Sequence, residues 1–309
     1  MPEGRESRER YAIDLCPTFR RYGYAGLALI ALAETSILLQ FVFAPSSTPY
    51  TVVRTINQWT TPLCWWGYIL FLDALIFRLK GNSLLMNRRR EFWLQLPLSI
   101  LIWLIFEVYN LHLDNWHYVG LPQNFWVRQL GYILAFATIM PGLFQTAELL
   151  ETLGLFTRFR LPPFSPSSRF IYLSIGIGLL SLIVPLLLPR FYARYLFALV
   201  WVGFVLLLDP IVYSSGGDAL LRDLEEGSAS RILSLFIGGL ICGFFWEFWN
   251  YWATAKWIYT VPFTQDVRIF EMPIAGFWGF GPFAWEYFAF YNFLRLIRRQ
   301  KTPPRLVLT

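Results

Sequence analysis

Long apolar segments recur along the whole length of this 309-residue chain. An α-helix rises 1.5 Å per residue, so about 20 apolar residues cross a hydrocarbon layer of about 30 Å. Inside a bilayer such segments must satisfy their own backbone hydrogen bonds, which favours helices. The sequence therefore predicts an all-α, polytopic membrane helical bundle of about eight spans. The predicted spans are 22–44, 62–80, 91–111, 126–150, 170–189, 191–213, 231–252 and 270–294.

The composition agrees with a membrane location. Hydrophobic residues make up 56% of the chain and charged residues only 15%, which argues against soluble, disordered and nucleic-acid-binding classes. Three separated cysteines (Cys16, Cys64 and Cys242) and two histidines (His112 and His117) give no disulfide framework and no metal-ligand spacing. We therefore expect no metal and no cofactor. The expected partners are membrane lipids, and we expect no nucleic-acid partner.

The distribution of basic residues predicts the topology. Of the 26 lysines and arginines, 20 fall on the side that holds the amino terminus and six on the other side. Because positive residues are enriched in cytoplasmic loops, both termini are predicted to be cytoplasmic.

The chain also matches itself at a nearly constant offset, which predicts an internal duplication. Four spans per copy return the chain to its starting side, so the copies are parallel and related by an axis along the membrane normal. Residues of the first copy reappear 136 to 141 positions later. The matched pairs are Asp73 and Asp209, Gly81 and Gly217, Leu84 and Leu220, Leu85 and Leu221, Glu107 and Glu247, Asn110 and Asn250, Trp116 and Trp257, Tyr118 and Tyr259, Pro122 and Pro262, and Pro141 and Pro282.

This duplication divides the chain into two repeats with short flanking segments. The predicted organisation is a cytoplasmic tail over 1–21, a first four-helix repeat over 22–155, a cytoplasmic linker over 156–169, a second repeat over 170–295, and a basic cytoplasmic tail over 296–309.

Acidic and amide residues inside the spans are the candidate site. An Asp at a helix centre costs about 2.5–3.5 kcal/mol on insertion scales, so each acid needs an explanation. Glu107 and Asn110 are three residues apart and share a helix face, and Glu247 and Asn250 repeat this pattern. Either these groups only lock helices together, or they act on a substrate. The same alternatives stay open for Asp73 and Asp209, where capping or pairing with arginines is the structural interpretation.

The eighth predicted span is the most polar one. Its prolines and glycines predict a broken or kinked helix beside a cavity. Glu286 falls near the middle of the membrane and Glu271 near its outer boundary. Aromatic residues next to these acids are the candidate lining of a slot for a flat apolar substrate. They are Trp246, Trp249, Trp285, Trp257 and Tyr259.

These motifs resemble those of the integral-membrane, non-flavin lycopene cyclases, which are built from duplicated helical domains, and of carotenoid hydratases of similar type. The resemblance covers about 62–150 and 196–295. The first copy offers Phe106-Glu107, Asn115-Trp116-His117-Tyr118, and Pro141 with Gln145 and Glu148. The second copy offers Trp246-Glu247, Lys256-Trp257-Ile258-Tyr259, and Pro282 with Trp285-Glu286. The resemblance implies a non-redox enzyme that acts on a carotenoid or other isoprenoid lipid.

A carboxyl group in an apolar environment favours its neutral form, so it can serve as an acid. In the enzyme hypothesis Glu286 protonates a double bond, tryptophan rings stabilise the carbocation, and Glu247 or Glu107 accepts the departing proton, with Asn110 and Asn250 orienting the carboxylates. Two other functions stay open. One is a proton- or cation-coupled transporter or lipid-handling protein that uses the same acids, and the other is a non-catalytic membrane scaffold.

Overall fold

A computed structural model describes residues 17–262 and 267–298. Within these residues, seven helices are long and apolar enough to cross a membrane, which confirms the predicted helical membrane bundle. Side chains such as Leu111, Trp126 and Leu187 are more than three-quarters exposed on the outside of these helices, as expected for a surface in contact with lipid. The predicted tails 1–21 and 296–309 lie mostly outside the described residues.

The helices follow one another in chain order with short connections. They are α1 (Arg21–Leu39), α2 (Thr48–Asn57), α3 (Thr60–Lys80), α4 (Leu84–Asn87), α5 (Arg89–Leu113), α6 (Phe125–Phe136), α7 (Ile139–Thr152), α8 (Ser168–Leu187), α9 (Arg190–Ala193), α10 (Phe197–Ser214), α11 (Leu220–Glu225), α12 (Ser230–Trp252) and α13 (Phe280–Ile297). The strands are β1 (Trp116–Val119), β2 (Lys256–Tyr259), β3 (Arg268–Ile269) and β4 (Met272–Pro273), and a 3₁₀ turn covers Ile274–Gly279.

Two predicted spans differ from the observed helices. The fourth span consists of α6 and α7 with a break at residues 137–138. The eighth predicted span starts as a short hairpin and a 3₁₀ turn, and its α-helix begins only at Phe280. Pro273, Gly276 and Gly279 explain the delay, because proline and glycine are the poorest helix formers. Pro282 lies in the first turn of α13, where a missing N–H costs little.

Two pairs of helices at corresponding positions of the predicted repeats pack in the same way. α1 packs against α3, and α8 packs against α10. In each pair two glycines bring the backbones together: Gly26 faces Gly67, and Gly178 faces Gly203. A Cβ atom on Gly26 would lie 2.5 Å from the Gly67 carbonyl oxygen, and one on Gly178 would lie 2.8 Å from the Gly203 oxygen. These contacts are the close approach that small residues allow between membrane helices.

The two aspartates near the ends of α3 and α10 also have equivalent partners. Asp73 accepts hydrogen bonds from the Leu85 N–H at 2.8 Å and from the Ser83 hydroxyl at 2.8 Å. Asp209 accepts from the N–H groups of Leu220 and Leu221 at 2.7 and 2.9 Å. Both carboxylates therefore bind backbone N–H groups at the start of the next short helix, α4 or α11. These contacts favour the structural interpretation of the aspartates.

The seam between the repeats runs along α12, which packs against α7 on one side and α13 on the other. Gly239 and Gly243 place α12 directly on Phe280, since a Cβ atom at either position would lie 2.1 Å from an atom of that residue. On α13, Glu286, Asn292 and Arg295 are buried. The end of this bundle next to α5, α6 and α12 is covered by β1 and β2, which form the candidate site.

Candidate functional site

Strands β1 and β2 form a two-stranded antiparallel ribbon that joins the two predicted repeats. Trp116 pairs with Tyr259, Tyr118 pairs with Trp257, and His117 pairs with Ile258. At the repeat offset of 141 residues, Trp116 corresponds to Trp257 and Tyr118 to Tyr259. Exchanging the two copies therefore gives the same strand pairing again. The ribbon therefore has a local pseudo-twofold pairing pattern centred on the His117–Ile258 pair. The ribbon's two tryptophans and two tyrosines all lie on one face, because side chains alternate along a strand.

Two asparagines anchor the ribbon to the helices. Asn110 accepts from the N–H of Trp116 at 3.2 Å and donates to the Trp116 carbonyl at 2.8 Å. Asn250 accepts from the N–H of Trp257 and donates to its carbonyl, both at 2.9 Å. A carboxamide carries one acceptor and one donor side by side, so it matches both backbone groups of an extended residue. The contacts of both asparagines are thus with the ribbon.

Each glutamate lies one helical turn before its asparagine and meets the aromatic face of the ribbon. Glu107 Oε1 accepts from the Tyr118 hydroxyl at 2.5 Å and from Trp116 Nε1 at 3.2 Å. Glu247 Oε1 accepts from the Tyr259 hydroxyl at 2.8 Å. The pattern of Glu and Asn three residues apart is therefore explained by contacts with the following strand. The amide binds the backbone of that strand, and the carboxylate binds its side chains.

The two tyrosines act as fixed hydrogen-bond donors. Burial raises the pKa of the Tyr259 phenol well above its usual value, and the neighbouring Glu247 raises it further. Burial and then Glu107 do the same for the pKa of Tyr118. Both phenols therefore stay protonated through the neutral range and keep donating to the carboxylates.

A cavity lies between the ribbon and the helices, with an empty volume of about 1130 Å³ including its open mouth. Half of the residues that line it are aromatic. They include Trp103, Trp116, Tyr118, Phe136, Trp201, Trp246, Trp257, Tyr259, Phe280 and Phe283. Such a lining suits an apolar ligand with flat or unsaturated groups.

Four buried polar atoms on the cavity wall have no hydrogen-bond partner in the described residues. They are Glu247 Oε2, Trp103 Nε1, Trp201 Nε1 and Thr61 Oγ1. Buried polar groups are nearly always satisfied, so unpaired groups at one cavity indicate a place where a ligand or water binds. Glu247 itself is fully buried. It is the carboxylate that the structure presents to the cavity.

The structure brings some of the predicted site residues together and separates others. Glu247, Trp246, Trp257 and Tyr259 line the cavity. Glu107 lies behind Tyr118, and Asn110 and Asn250 hold the ribbon. Glu271 forms an ion pair with Lys256 at 2.5 Å, at the rim. The site is therefore built mainly from α12 and the two ribbon strands.

Glu286, Trp249 and Trp285 do not line this cavity. Glu286 is fully buried, and its Oε1 accepts from the Phe204 N–H of α10 at 3.1 Å. Trp249 donates to Glu34 at 2.8 Å, and Trp285 donates to the Ile232 carbonyl at 2.9 Å. A catalytic role for Glu286 stays a prediction, and this cavity gives it no support.

Further residues of the predicted first repeat complete the cavity and were not among the predicted site residues. Tyr118 and Trp103 come from the first copy, and Arg128 and Gly131 come from α6. The duplication contained a signal for Tyr118, because it is the counterpart of Tyr259. Nothing in the apolar pattern of α6 distinguishes a helix face toward a cavity from one toward a neighbouring helix.

No protein-family model, no curated protein and no solved structure matches this chain.

Proposed function

We propose that the chain is an intramembrane, non-redox enzyme that binds an isoprenoid lipid in the ribbon cavity and uses Glu247 as its acid. One observation carries this proposal. Glu247 is fully buried at the wall of an aromatic cavity, with one oxygen bonded to Tyr259 and the other without a partner. A carboxyl group in such surroundings favours its protonated form and can donate that proton to a bound substrate.

The geometry supports protonation of a carbon–carbon double bond. The proton leaves Glu247, the π electrons form the new C–H bond, and a carbocation remains on the neighbouring carbon. A second double bond of the same chain attacks this cation and closes a ring. Ring closure leaves the positive charge on the far carbon of that second double bond. A carbon next to this new cation then gives a proton to the Glu247 carboxylate, and the electrons of its C–H bond form a new double bond. The reaction is therefore an isomerisation and needs neither oxidant nor reductant.

The cavity walls supply what a carbocation needs. The faces of Trp246 and Trp201 attract positive charge through the ring quadrupole, and Phe280 and Phe283 extend the aromatic wall. Tyr259 holds the carboxylate in place by its hydrogen bond. The sequence resemblance to membrane lycopene cyclases implies the same class of chemistry.

A second cavity supports a lipid as the substrate. It is wholly apolar, has an empty volume of about 750 Å³, and shares Trp59 and Pro62 with the ribbon cavity. Its other walls come from α1, α2, α3 and α6, including Leu29, Leu32 and Ile56. A long hydrocarbon chain therefore finds apolar surface on both sides of Trp59.

Blocking the ribbon cavity tests this proposal. Gly131 lines the cavity and has no atom within 4 Å of the position of a Cβ. We expect Gly131→Trp to fill that space, to exclude part of the substrate chain, and to lower the conversion of a linear polyene by about tenfold or more, which corresponds to about 1.4 kcal/mol. The measurement is product analysis by chromatography after incubating a panel of isoprenoids with the purified protein in nanodiscs.

The matched control is Gly176→Trp on α8, a helix that does not line the cavity. Gly176 also has no atom within 4 Å of its Cβ position. This variant is expected to convert the polyene like the wild type. The proposal would be wrong if the wild type converts no isoprenoid of the panel, or if Gly131→Trp and Gly176→Trp convert it equally well.

A further inference from the structure

The face of α6 toward the cavity carries one charge. Arg128, Gly131, Tyr132, Ala135 and Phe136 all line the cavity, and their spacing of three and four residues places them on one side of the helix. At 1.5 Å per residue this face is about 12 Å long. Arg128 lies in the first turn of α6, next to Asn124, which caps the helix. The remaining four residues of the face are uncharged, so the cavity wall has a cationic end and an aromatic end.

Arg128 has no carboxylate partner in the part of the chain that the structure describes. Its close contact is with the Phe125 ring, whose centroid lies 5.9 Å from the guanidinium carbon. The other cation that lines the cavity, Lys256, is neutralised by Glu271 at 2.5 Å. Among the described residues, no carboxylate therefore neutralises the positive charge of Arg128 at this end of the cavity.

Arg128 is partly buried, so it has lost part of its contact with water and has no ion pair with a described carboxylate in return. Its planar fork of N–H groups matches the oxygens of a phosphate or carboxylate, and such charge-assisted bonds are among the strongest in proteins. An anionic ligand group would supply the missing partner.

Glu247 lies on the same cavity, on α12 rather than on α6. A ligand with an anion at Arg128 and an unsaturated chain along the aromatic wall would therefore be fixed at one end while its chain meets the acid. An uncharged hydrocarbon would lack this anchor and could slide along the cavity. The arginine consequently sets which double bond of the chain meets Glu247.

We propose that the ligand of this cavity is an isoprenoid lipid with an anionic head group, and that Arg128 binds that group. This inference rests on the proposed function for the site, and it adds the chemical class of the substrate. A phosphate monoester is the clearest example. The anion belongs to the lipid, and a free phosphate ion would gain nothing from the aromatic wall.

Equilibrium binding tests the inference without any need for turnover. The purified protein in phosphatidylcholine nanodiscs is titrated with geranylgeraniol, with geranylgeranyl monophosphate and with inorganic phosphate, and quenching of tryptophan fluorescence reports occupancy. We expect the monophosphate to bind about tenfold or more tightly than the alcohol, as a charged hydrogen bond implies. Inorganic phosphate should not compete at the same concentration.

Two variants assign the effect to one residue. Arg128→Gln should bind the monophosphate and the alcohol equally, and Arg128→Lys should keep part of the difference because it keeps the charge. The control is Arg54→Gln, which removes an exposed arginine of α2 that does not line the cavity. It should behave like the wild type, and in wild-type protein the preference should weaken as salt is raised.

The outcomes separate this inference from the proposed function. If the wild type binds the alcohol and the monophosphate equally, or if Arg128→Gln keeps the preference, the inference is wrong while acid catalysis by Glu247 can still stand. If the preference depends on Arg128 but no isoprenoid is converted, the head-group site stands and the proposed enzyme function falls. Displacement of the monophosphate by equimolar inorganic phosphate would also contradict a lipid as the ligand.

Discussion

Glu247→Gln is expected to lower the conversion rate of a bound polyene by about 10²- to 10⁴-fold, the usual contribution of a positioned acid or base. Glutamine keeps the shape of the side chain and an oxygen that accepts from the Tyr259 hydroxyl. It cannot donate a proton to a double bond or take one back. Single-turnover kinetics with preloaded substrate would show the loss in the chemical step, and the affinity for substrate should stay close to that of the wild type.

Glu286→Gln is the matched control, since it also neutralises a fully buried glutamate of a helix. Glu286 binds the backbone of α10 and does not line the ribbon cavity, so its amide should leave the turnover near that of the wild type. The opposite result, with turnover lost in Glu286→Gln and kept in Glu247→Gln, would support the role that the sequence alone assigned to Glu286. It would also remove the catalytic function from the ribbon cavity.

Gly120→Ala is expected to disrupt the ribbon and to cost about 3 kcal/mol or more in stability. Gly120 follows β1 with a φ of +65°, which an alanine adopts only with strain. More importantly, its Cβ would lie 1.9 Å from the Thr254 carbonyl oxygen in the loop before β2. Because that neighbour is backbone, relief requires the two strands to separate. Thermal unfolding followed by tryptophan fluorescence, together with the yield of monodisperse protein in detergent, measures the effect.

Gly216→Ala separates backbone strain from the steric clash. Gly216 has a φ of +74°, yet no atom lies within 4 Å of its Cβ position. Its alanine variant should lose only about 1 kcal/mol, the cost of the left-handed conformation. Equal destabilisation by the two variants would mean that the close approach between residue 120 and the loop before β2 is absent in the folded protein.

Local patterns were enough to predict the helices and part of the site. The apolar segments give the spans because every backbone group in a bilayer must be satisfied within the segment. The spacing of Glu247 and Asn250 correctly places both residues on one helix face, where each contacts β2. The ordered offsets between the copies pair residues that have the same contacts, as with Asn110 and Asn250. These predictions depend on a few neighbouring residues or on comparing the chain with itself.

The rest depends on contacts between distant parts of the chain. The pairing of Trp116 with Tyr259 joins strands that are about 140 residues apart, and neither four-residue strand is distinctive by itself. Glu286 was placed at the site because its span was expected to be kinked beside the cavity. In the structure α13 starts at Phe280 and turns this carboxylate toward α10. The direction of a side chain on a helix that is surrounded by protein cannot be deduced from periodicity, since several faces are buried.

The most direct test of the central claim is labelling with dicyclohexylcarbodiimide, which reacts with protonated carboxyl groups that an apolar reagent can reach. Intact protein in nanodiscs would be labelled with and without a bound polyene, and the modified residues identified by peptide mass spectrometry. We expect Glu247 to be modified, to be protected when the polyene is bound, and to react far more than Glu286. Two results would contradict the claim that Glu247 is an acid at the wall of a lipid-binding cavity beneath the ribbon. One is modification of Glu286 without modification of Glu247. The other is labelling of Glu247 that does not change when the polyene is bound.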